Sequence, residues 1–532
     1  MAKLLNRSIL HWAVFLPIAA VLAWIYLSVA RGDFVADDYV FITTGRMVDA
    51  PFAAFWQSHF YEPYYFRPVG VVSWWVATRL FELDYAAHSA INFALHFANA
   101  GLMFWLLRAL ALRASAVVAG AFLFALGPFA LVAVLWPSNR FDLLAVGFLL
   151  AQAIAMVRAL QGNVFAFPLA VLATLGACWS KESAYAMATA MAFVAVFARG
   201  VSWRLRVTLF GLLGATISGA FFWRQHIATE AFSVAGANPL MSVFYGAHAM
   251  LASLPTLAGH AMGEVMSAWF VGGLLLGCLL ALLFQASVKQ VSGGSIAGAL
   301  LIFLAAFVVQ TPLAKAFAPM LDGSAFGTVS FARFYYAPWA ALSLVLTLVL
   351  ARGRWADASA VMIVAVTVAA SLGVQPVAET FAEWTRRELK PMSVAATKLV
   401  DANNAAPCVF VLLGTQEKQP FFRMFSDVTV KARSVEPEKT WRCHVMTEST
   451  PWLFAFPATQ VPFAMPLREV PGFAGKNKAD STWGGIRYRY RLPSADLVKL
   501  PGARFFDWRD PQFVEVTDEV HSGAQKIVWR DW

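Results

Sequence analysis

Charged side chains are scarce in this chain of 532 residues: Asp, Glu, Lys and Arg make up 14% of it, whereas hydrophobic residues make up 59%. A soluble globular domain typically carries about 25% charged residues, which cover its surface. The composition therefore excludes a soluble globule. It indicates a chain that lies largely within a lipid bilayer.

Cysteine is also rare, since the chain has only four. That number is too small for the disulfide scaffold of a small secreted protein. Cys178 and Cys278 lie in or beside apolar runs, whereas Cys408 and Cys443 share the C-terminal region and could pair if that region is exported. The sequence also lacks a haem or cluster motif and a charged pore ring, so electron transfer and channel function have no support.

The net charge of +10 does not indicate nucleic acid binding. Roughly half of the Lys and Arg residues follow Glu379, and most of the others lie in short loops between apolar runs, where they set membrane orientation. Nucleic acid is therefore excluded as a partner.

Apolar segments recur over the first 377 residues, each close to the length of about 20 residues that a helix needs to cross a bilayer. The first segment is longer than a signal-peptide core and further segments follow it, so we interpret it as an anchor. The pattern predicts a polytopic α-helical bundle of about eleven transmembrane helices. The predicted spans are residues 8–30, 86–107, 114–135, 141–157, 164–179, 183–198, 207–223, 263–287, 295–311, 334–351 and 356–377.

Loop charges predict the orientation of these spans. If the N-terminus is cytoplasmic, every short inside loop carries Lys or Arg, and the acidic loop residues fall outside. The C-terminus is then outside, which in a bacterial inner membrane is the periplasm. This register treats residues 239–263 as interfacial; a full crossing there would invert everything downstream.

The composition changes after residue 378 to a charged, mixed pattern with strand-like runs at 408–413 and 485–491. We therefore predict two domains, a transmembrane domain over 1–378 and a periplasmic mixed α/β domain over 379–532. The second domain shows no repeat with a period of 20 to 50 residues.

The long first outside loop, residues 31–86, is the strongest candidate for a functional segment. It holds Asp33, the adjacent pair Asp37 and Asp38, Arg67 and many aromatic residues. Long ordered loops in helix bundles are usually functional. An isolated acid pair would be read as a solvated turn, and the aromatic residues as an interfacial belt.

Several motifs occur in a fixed order on the predicted outer face. Together they resemble the glycosyltransferase C superfamily, and most closely the bacterial relatives of the transmembrane and tetratricopeptide-containing O-mannosyltransferases. The motifs are FVADDYVFI at 34–42, FW at 55–56, YFRPV at 65–69, His88-x3-Asn92-x3-His96, WPSNRFDLLA at 136–145, SKE at 180–182 and RFYYAP at 333–338.

The resemblance implies a membrane glycosyltransferase. It would move a sugar, with inversion, from a polyprenyl-phosphate donor such as undecaprenyl phosphate to an acceptor hydroxyl at the periplasmic face. No tetratricopeptide repeats follow the bundle, so the family's eukaryotic protein acceptors do not carry over. The bundle with its C-terminal domain also resembles bacterial transferases that modify lipid A or O-antigen. The acceptor is therefore left open as a cell-envelope glycan, lipid or protein.

The resemblance also assigns roles to the acid pair. Asp37 occupies the position of the superfamily's catalytic base, and a half-buried carboxylate accepts a proton more readily than a solvated one. Asp38 would orient it. No cofactor is certain, although the two carboxylates could together hold a divalent cation such as Mg²⁺ or Mn²⁺. Because adjacent carboxylates compete for one role, the reverse assignment stays open.

Three cations are the candidates for binding the leaving phosphate: Arg67, Lys181 and Arg333. Positive charge at the outer mouth of the bundle favours an anionic lipid head. The structural alternatives are snorkelling of the two arginines to the headgroups and an ion pair between Lys181 and Glu182. We expect Glu182, Arg140 and Asp142 to orient this site rather than to react.

His88, Asn92 and His96 recur every four residues and form one polar stripe on the second predicted span. We interpret the stripe as helix packing, with contact to the acceptor or to phosphate groups as the alternative. A histidine metal site would need a third close ligand, which the sequence does not clearly offer.

Two other functions compete with transfer. A transporter or flippase of polyprenyl-linked sugars needs outward cations but not Asp37, and the related halves typical of transporters are not visible in this sequence. An O-antigen polymerase or ligase would place its main catalytic residues in a large late loop, where only Asp322 and Arg333 would suit it.

Overall fold

The computed structural model describes residues 14–35, 38, 41–42, 45, 50–56, 66–198, 200–228, 298, 301–302, 305–306, 329, 333–350, 356–403, 408–413, 443–447, 452–455, 481–483, 487–491, 498 and 502–527.

Most of the described chain is helical. The helices are α1 (Phe15–Val29), α2 (Pro68–Phe81), α3 (Tyr85–Ala109), α4 (Ala114–Ala125), α5 (Pro128–Val134), α6 (Arg140–Leu160), α7 (Ala166–Cys178), α8 (Ser183–Val196), α9 (Trp203–Ile227), α10 (Tyr336–Leu350), α11 (Ala356–Trp384), α12 (Lys390–Ala402) and α13 (Thr517–His521). Short 3₁₀ turns lie at Pro51–Phe55, Pro137–Asn139 and Arg333–Tyr335.

Several of these helices have the length and apolar character of membrane spans. Within the described ranges four stretches qualify outright, and the bent pair α4 and α5 would make a fifth. The four are Tyr85–Ala109, Pro137–Leu160, Trp203–Ile227 and Ala356–Leu399. Shorter apolar helices lie beside them at Phe15–Val29, Ala166–Cys178, Ser183–Val196 and Arg333–Val349. The chain is a polytopic helical membrane protein.

The predicted span at 114–135 coincides with the bent pair α4 and α5, and the described part of the span at 8–30 coincides with α1. The spans at 86–107, 141–157, 164–179, 183–198, 207–223, 334–351 and 356–377 each coincide with one helix. The predicted span at 263–287 and the interfacial stretch at 239–263 lie outside the described residues, and the span at 295–311 is described only in part. The total of about eleven helices therefore stays a prediction.

The first predicted loop contains a helix that the sequence analysis did not foresee. Pro68 starts α2, where its missing N–H costs nothing and its fixed φ suits the first helical turn. Trp74 and Thr78 are buried on one face of α2 because residues four apart lie on the same side of a helix. Asp84 then caps α3 by accepting a hydrogen bond from the Ala87 N–H.

A sharp bend separates α4 from α5, with an angle of 46° between them. Pro128 cannot continue the hydrogen-bond ladder of α4. Gly127 lies against the Trp339 indole, and a Cβ at this position would come within 2.2 Å of ring atoms. Every residue of α5 is buried within the protein. The segment 136–142 follows α5 and lies at one end of the bundle.

The last long helix continues past residue 379, where the composition changes. A π turn over Thr385–Leu389 joins α11 to α12, so the stretch from Ala356 to Leu399 is one helical element. The helix α11 packs against α1 and α4.

The described strands form two sheets. The first has the order β2 (Cys443–Thr447), β1 (Cys408–Leu413), β6 (Ala503–Arg509) and β7 (Gln512–Glu515), with β1 parallel to both neighbours and β7 antiparallel to β6. The second is antiparallel, in the order β3 (Trp452–Ala455), β5 (Arg487–Arg491) and β4 (Ser481–Trp483).

The strands β1 and β5 coincide with the two predicted strand-like runs. In the register of β1 with β2, the Cα of Cys408 is opposite that of Cys443. Neighbouring strands lie about 4.8 Å apart, which is within the Cα separation that a disulfide requires. The extent of the C-terminal domain, 379–532, stays a prediction.

Candidate active site

Asp38 is the described member of the acid pair, and Asp37 lies outside the described residues. The Asp38 side chain is fully buried. One of its oxygens accepts a hydrogen bond from the Val35 N–H at 2.9 Å, and the other accepts one from the Ser138 hydroxyl. Both carboxylate oxygens are therefore positioned by donors, which stabilise the ionised form.

Ser138 belongs to the segment 136–142, which connects α5 to α6. Asn92 on α3 fixes the start of this segment, because its amide Nδ2 donates to the carbonyl oxygens of Trp136 and Pro137 at 3.0 and 3.2 Å. Asn139 donates to the Ala133 carbonyl at 2.9 Å and so satisfies the end of α5. A loop with these bonds holds Ser138 at a defined place.

Arg140 is completely buried beside Asp38. Its Nη2 donates to the His88 carbonyl at 3.1 Å, its Nε reaches the Asn92 Oδ1 at 3.4 Å, and its Cζ lies 4.2 Å from the centre of the Trp74 ring. Asp38 interacts with the Arg140 charge electrostatically. The Nη1 of Arg140 has no hydrogen-bond partner among the described residues.

His88 is a packing residue in this arrangement. Its Nε2 lies 3.0 Å from the Glu82 carbonyl oxygen, which can only accept, so Nε2 carries the proton and Nδ1 is the acceptor for Arg140 at 3.4 Å. The ring stacks on Trp74, with centroids 5.3 Å apart, and meets the edge of Phe34 at 5.4 Å.

The other polar side chains of the stripe also form their hydrogen bonds with groups of the protein. His96 donates through Nε2 to the Ala125 carbonyl at 2.8 Å, and its Nδ1 lies 2.9 Å from the Tyr336 hydroxyl. Asn99 donates to the same hydroxyl at 3.0 Å and to the Leu143 carbonyl at 2.8 Å. These contacts agree with the helix-packing interpretation of His88, Asn92 and His96, and they extend the stripe to Asn99.

Two of the predicted phosphate-binding cations form ion pairs with carboxylates. Lys181 pairs with Asp142, and Arg67 makes a bidentate contact with Glu182, in which Nε donates to Oε1 at 3.1 Å and Nη2 donates to Oε2 at 2.6 Å. An ion pair between Lys181 and Glu182 is the structural alternative that the sequence predicts for Lys181. The structure instead connects each of the two cations to a carboxylate from another part of the chain.

The electrostatics of these pairs are set by burial and by the neighbouring charges. Burial lowers the pKa of the Lys181 ammonium group; Asp142 opposes this shift and Arg67 adds to it. Burial alone would raise the pKa of Glu182, but the charge of Arg67 and its hydrogen bonds hold it below its usual range, with help from Arg224. The ionised form of Glu182 is therefore stabilised by the neighbouring cations Arg67 and Arg224.

Arg333 packs against the first residue of the same segment. Its Cζ lies 3.9 Å from the centre of the Trp136 ring and 4.8 Å from that of Phe334, and the residue is 6% exposed. The Arg67 side chain is 11% exposed, with its Cζ 5.3 Å from the centre of the Phe141 ring. Neither guanidinium extends along a lipid-facing surface, so snorkelling does not describe their positions.

Most of these side chains come from the same end of the bundle. They follow α1, lie at or just before the starts of α2, α3, α6, α8 and α10, or follow the end of α7, whereas His96 and Asn99 lie further along α3. An apolar cavity of about 360 Å³ begins one helical turn further along, at Val146, Met187 and Ala340. It extends between α3, α6, α8 and α10 towards their other ends, at Leu110 and Leu160.

Asp38 is the described carboxylate of the predicted divalent-cation site. Within the part of the chain that the structure describes, no group of three His, Cys, Asp or Glu residues could hold a metal ion. Each oxygen of the Asp38 carboxylate accepts one hydrogen bond, from Val35 or from Ser138. The predicted site at Asp37 and Asp38 stays a hypothesis.

Sequence reasoning missed several residues of this cluster. Trp136 and Ser138 lie inside the motif at 136–145, and Tyr336 lies inside the motif at 333–338, but the sequence predicts no role for these three residues. Asn99 follows His96 by one helical step, so the period of the stripe was a usable signal. The sequence offers no pattern that connects Trp74 to Arg140.

No protein-family model and no curated protein matches this chain. Among solved structures, the chain is similar to the crystal structure of ArnT from Cupriavidus metallidurans bound to undecaprenyl phosphate. The two are 14% identical over 91% of this chain and 99% of that chain, with a TM-score of 0.36. At this level of similarity two chains need not share a fold.

Proposed function

We propose that this protein is a membrane glycosyltransferase. It transfers a hexosyl or pentosyl group, with inversion, from a polyprenyl-phosphate donor such as undecaprenyl phosphate to a hydroxyl of a cell-envelope glycan, lipid or protein. The site faces the periplasm of a bacterial inner membrane. One observation carries the proposal: the segment 136–142 contacts Asp38, the polar stripe of α3 and all three predicted phosphate-binding cations or their partners.

Transfer from a lipid phosphate needs a base for the acceptor hydroxyl and positive charge for the departing phosphate. In the proposed reaction Asp37 takes the hydroxyl proton while the acceptor oxygen attacks the anomeric carbon from the side opposite the phosphate. The bond from that carbon to the phosphate oxygen breaks, and the phosphate leaves with the electron pair. General-base help of this kind is typically worth 10² to 10⁴ in rate.

Asp38 has the features of a positioning residue. Its two oxygens are held by Val35 and Ser138, and its charge interacts with buried Arg140. A carboxylate held in this way fixes the loop next to Asp37. This supports Asp37 as the base and Asp38 as the residue that orients it.

The cations support binding of an anionic lipid head. Glu182 orients Arg67, and Asp142 orients Lys181, so two positive groups have fixed positions near Phe141. Arg333 is held on Trp136 at the start of the same segment. Preorganised cations stabilise charge that develops on a leaving group without reorganising during the reaction. The buried Nη1 of Arg140 is a further donor that would gain from a ligand oxygen.

The apolar cavity supports a lipid-linked donor rather than a soluble one. Its lining is hydrophobic from Val146 to Leu160 along α6, a distance of about 21 Å for a helix that rises 1.5 Å per residue. A hydrocarbon chain is the chemical class that such a lining stabilises. With the phosphate near Lys181, one turn away from the cavity, the prenyl chain would extend into it.

The proposal is tested with purified protein and a polyprenyl-phosphate sugar. Asp37→Asn keeps the shape of the side chain and removes the proton acceptor, so turnover should fall by two or more orders of magnitude while donor binding is retained. Asp38→Asn should cost less. Normal turnover of Asp37→Asn with an inactive Asp38→Asn would reverse the two roles.

Two other outcomes would favour the competing functions. If both variants stay fully active, catalysis by this loop is wrong and a transporter or flippase of polyprenyl-linked sugars becomes the leading interpretation. Turnover only with a polyprenyl-diphosphate glycan would instead indicate a polymerase or ligase.

A further inference from the structure

We propose that the π turn over Thr385–Leu389 positions the acidic loop through two contacts to Asp33, and that these two contacts, which we call the clasp, determine where Asp38 lies. The inference rests on the proposed function in so far as the loop is catalytic. The contacts of the clasp can be tested separately from catalysis.

The first contact is a hydrogen bond with a defined direction. The Asp33 N–H donates to the Thr385 Oγ1 at 3.0 Å. The Thr385 hydroxyl in turn donates to the Ala382 carbonyl at 2.9 Å, so its proton points away and its lone pair faces Asp33. Thr385 is completely buried, and loss of a buried acceptor would leave the Asp33 N–H unsatisfied.

The second contact is an ion pair between the Lys390 Nζ and the Asp33 Oδ2 at 3.3 Å. Thr385 and Lys390 are five residues apart, and the π turn hydrogen-bonds the Lys390 N–H to the Thr385 carbonyl. In a regular α-helix, five residues rotate the side chain by about 140°, onto another face. The π turn brings both side chains to one face, so both can reach Asp33. Single π turns in α-helices are frequent at functional sites.

The backbone at Gly32, directly before Asp33, is tightly packed against its neighbours. A Cβ at Gly32 would lie 3.0 Å from the Thr385 Oγ1, 3.1 Å from the Tyr85 ring and 3.1 Å from the Val29 carbonyl oxygen. The backbone therefore passes in close contact between the π turn and the start of α3. Substitution of Gly32 would push the loop away from one of these surfaces.

Contacts of the described residues Phe34 and Val35 connect Asp33 to Asp38. The Asp33 Oδ1 accepts from the Phe34 N–H at 2.8 Å, and the Phe34 ring packs on Tyr85 at 5.2 Å. The next residue, Val35, donates its N–H to the Asp38 carboxylate. A shift at Thr385 would therefore move the donor that orients Asp38.

The test compares two substitutions at Thr385. Thr385→Val keeps the size but removes the acceptor, and Thr385→Ser keeps the acceptor. We expect Thr385→Val to lower kcat about tenfold with little change in the donor KM, and Thr385→Ser to restore kcat. Arg387→Ala is the matched control, because Arg387 lies in the same turn but is exposed and pairs with Glu383; its kcat should equal that of the wild type.

Hydrogen exchange of residues 31–38, measured by mass spectrometry on the full chain in detergent, provides a readout that does not depend on activity. Thr385→Val should speed exchange of this stretch, whereas Thr385→Ser and Arg387→Ala should not. Unchanged exchange in Thr385→Val would overturn the clasp. Faster exchange with an unchanged kcat in an active enzyme would overturn its positioning role. If the wild type is inactive, the proposed function fails and exchange alone decides the clasp.

Discussion

At the scale of single residues, the hydroxyl of Ser138 is the most direct support of the Asp38 carboxylate. We predict that Ser138→Ala lowers kcat several-fold, because Asp38 loses a buried donor. We also predict that Ser138→Ala costs little more in an Asp38→Asn background, since residues that share one interaction are not additive. Steady-state kinetics of the two single variants and the double variant measure this coupling.

The control for this cycle is Thr174→Val. Thr174 is also buried, but its hydroxyl bonds to Ala170 within its own helix. Additive losses from Ser138→Ala and Asp38→Asn would show that the hydrogen bond does not contribute to the reaction.

Arg140 combines a stacking contact with hydrogen bonds that a lysine cannot reproduce. We predict that Arg140→Lys lowers kcat at least tenfold although the charge is kept, because an ammonium group cannot both stack on Trp74 and reach His88 and Asn92. Arg140→Gln should be at least as impaired. If Arg140→Lys keeps wild-type kcat, charge alone is sufficient and the guanidinium geometry is not needed.

At the scale of elements, the pair Arg67–Glu182 connects α2 to the turn between α7 and α8. The pKa of Glu182 is lowered in the folded protein, so its contribution to stability is complete above the unfolded value of about 4.3 and is lost as pH falls through the lower folded value. The stability difference between wild type and Glu182→Gln should therefore be constant above about pH 5 and shrink below it.

Thermal unfolding of both proteins in detergent between about pH 7 and pH 3 measures this difference. Exposed Glu383, which pairs with Arg387 on the surface, provides the matched variant Glu383→Gln, for which only a small difference is expected. A stability difference for Glu182→Gln that persists unchanged at pH 3 would contradict the linkage.

The sequence predicted the members of the site better than their partners. The motifs identified Asp142, Lys181 and Glu182, but which cation contacts which carboxylate depends on how α2, α6 and α8 pack, and no periodicity encodes that. The stripe on α3 was predictable because it follows one helix. The clasp at Thr385 was not, because Asp33 and Thr385 are separated by most of the chain.

At the scale of the whole molecule, the distribution of Lys and Arg among the loops, together with the number of predicted crossings, predicts that the C-terminal domain is periplasmic. Cys408 and Cys443 lie in this region, and Ala524 is an exposed position near its end. We predict that Ala524→Cys reacts with a membrane-impermeant maleimide in intact spheroplasts. Arg158→Cys, at an exposed position in a predicted cytoplasmic loop, should react only after permeabilisation.

The labelling experiment also tests the weakest part of the predicted topology. If Ala524→Cys reacts only after permeabilisation while Arg158→Cys behaves as expected, the number of crossings between the two positions differs from the prediction by an odd number, and a crossing at 239–263 is the first candidate. Helix prediction succeeded where apolar runs were long, whereas orientation depends on charges in loops and on the number of crossings between them.

The cluster of His96, Asn99 and Tyr336 has an electrical consequence. The Nε2 of His96 donates to the Ala125 carbonyl, so a neutral His96 ring has Nδ1 free to accept the proton of the Tyr336 hydroxyl, while that hydroxyl accepts from Asn99. Moving one elementary charge through 100 mV requires about 2.3 kcal/mol, but three neutral side chains carry no charge. With a neutral His96, the voltage across the membrane does no work on a net charge in this cluster, so we expect these three side chains to keep the same contacts in an energised and a de-energised cell.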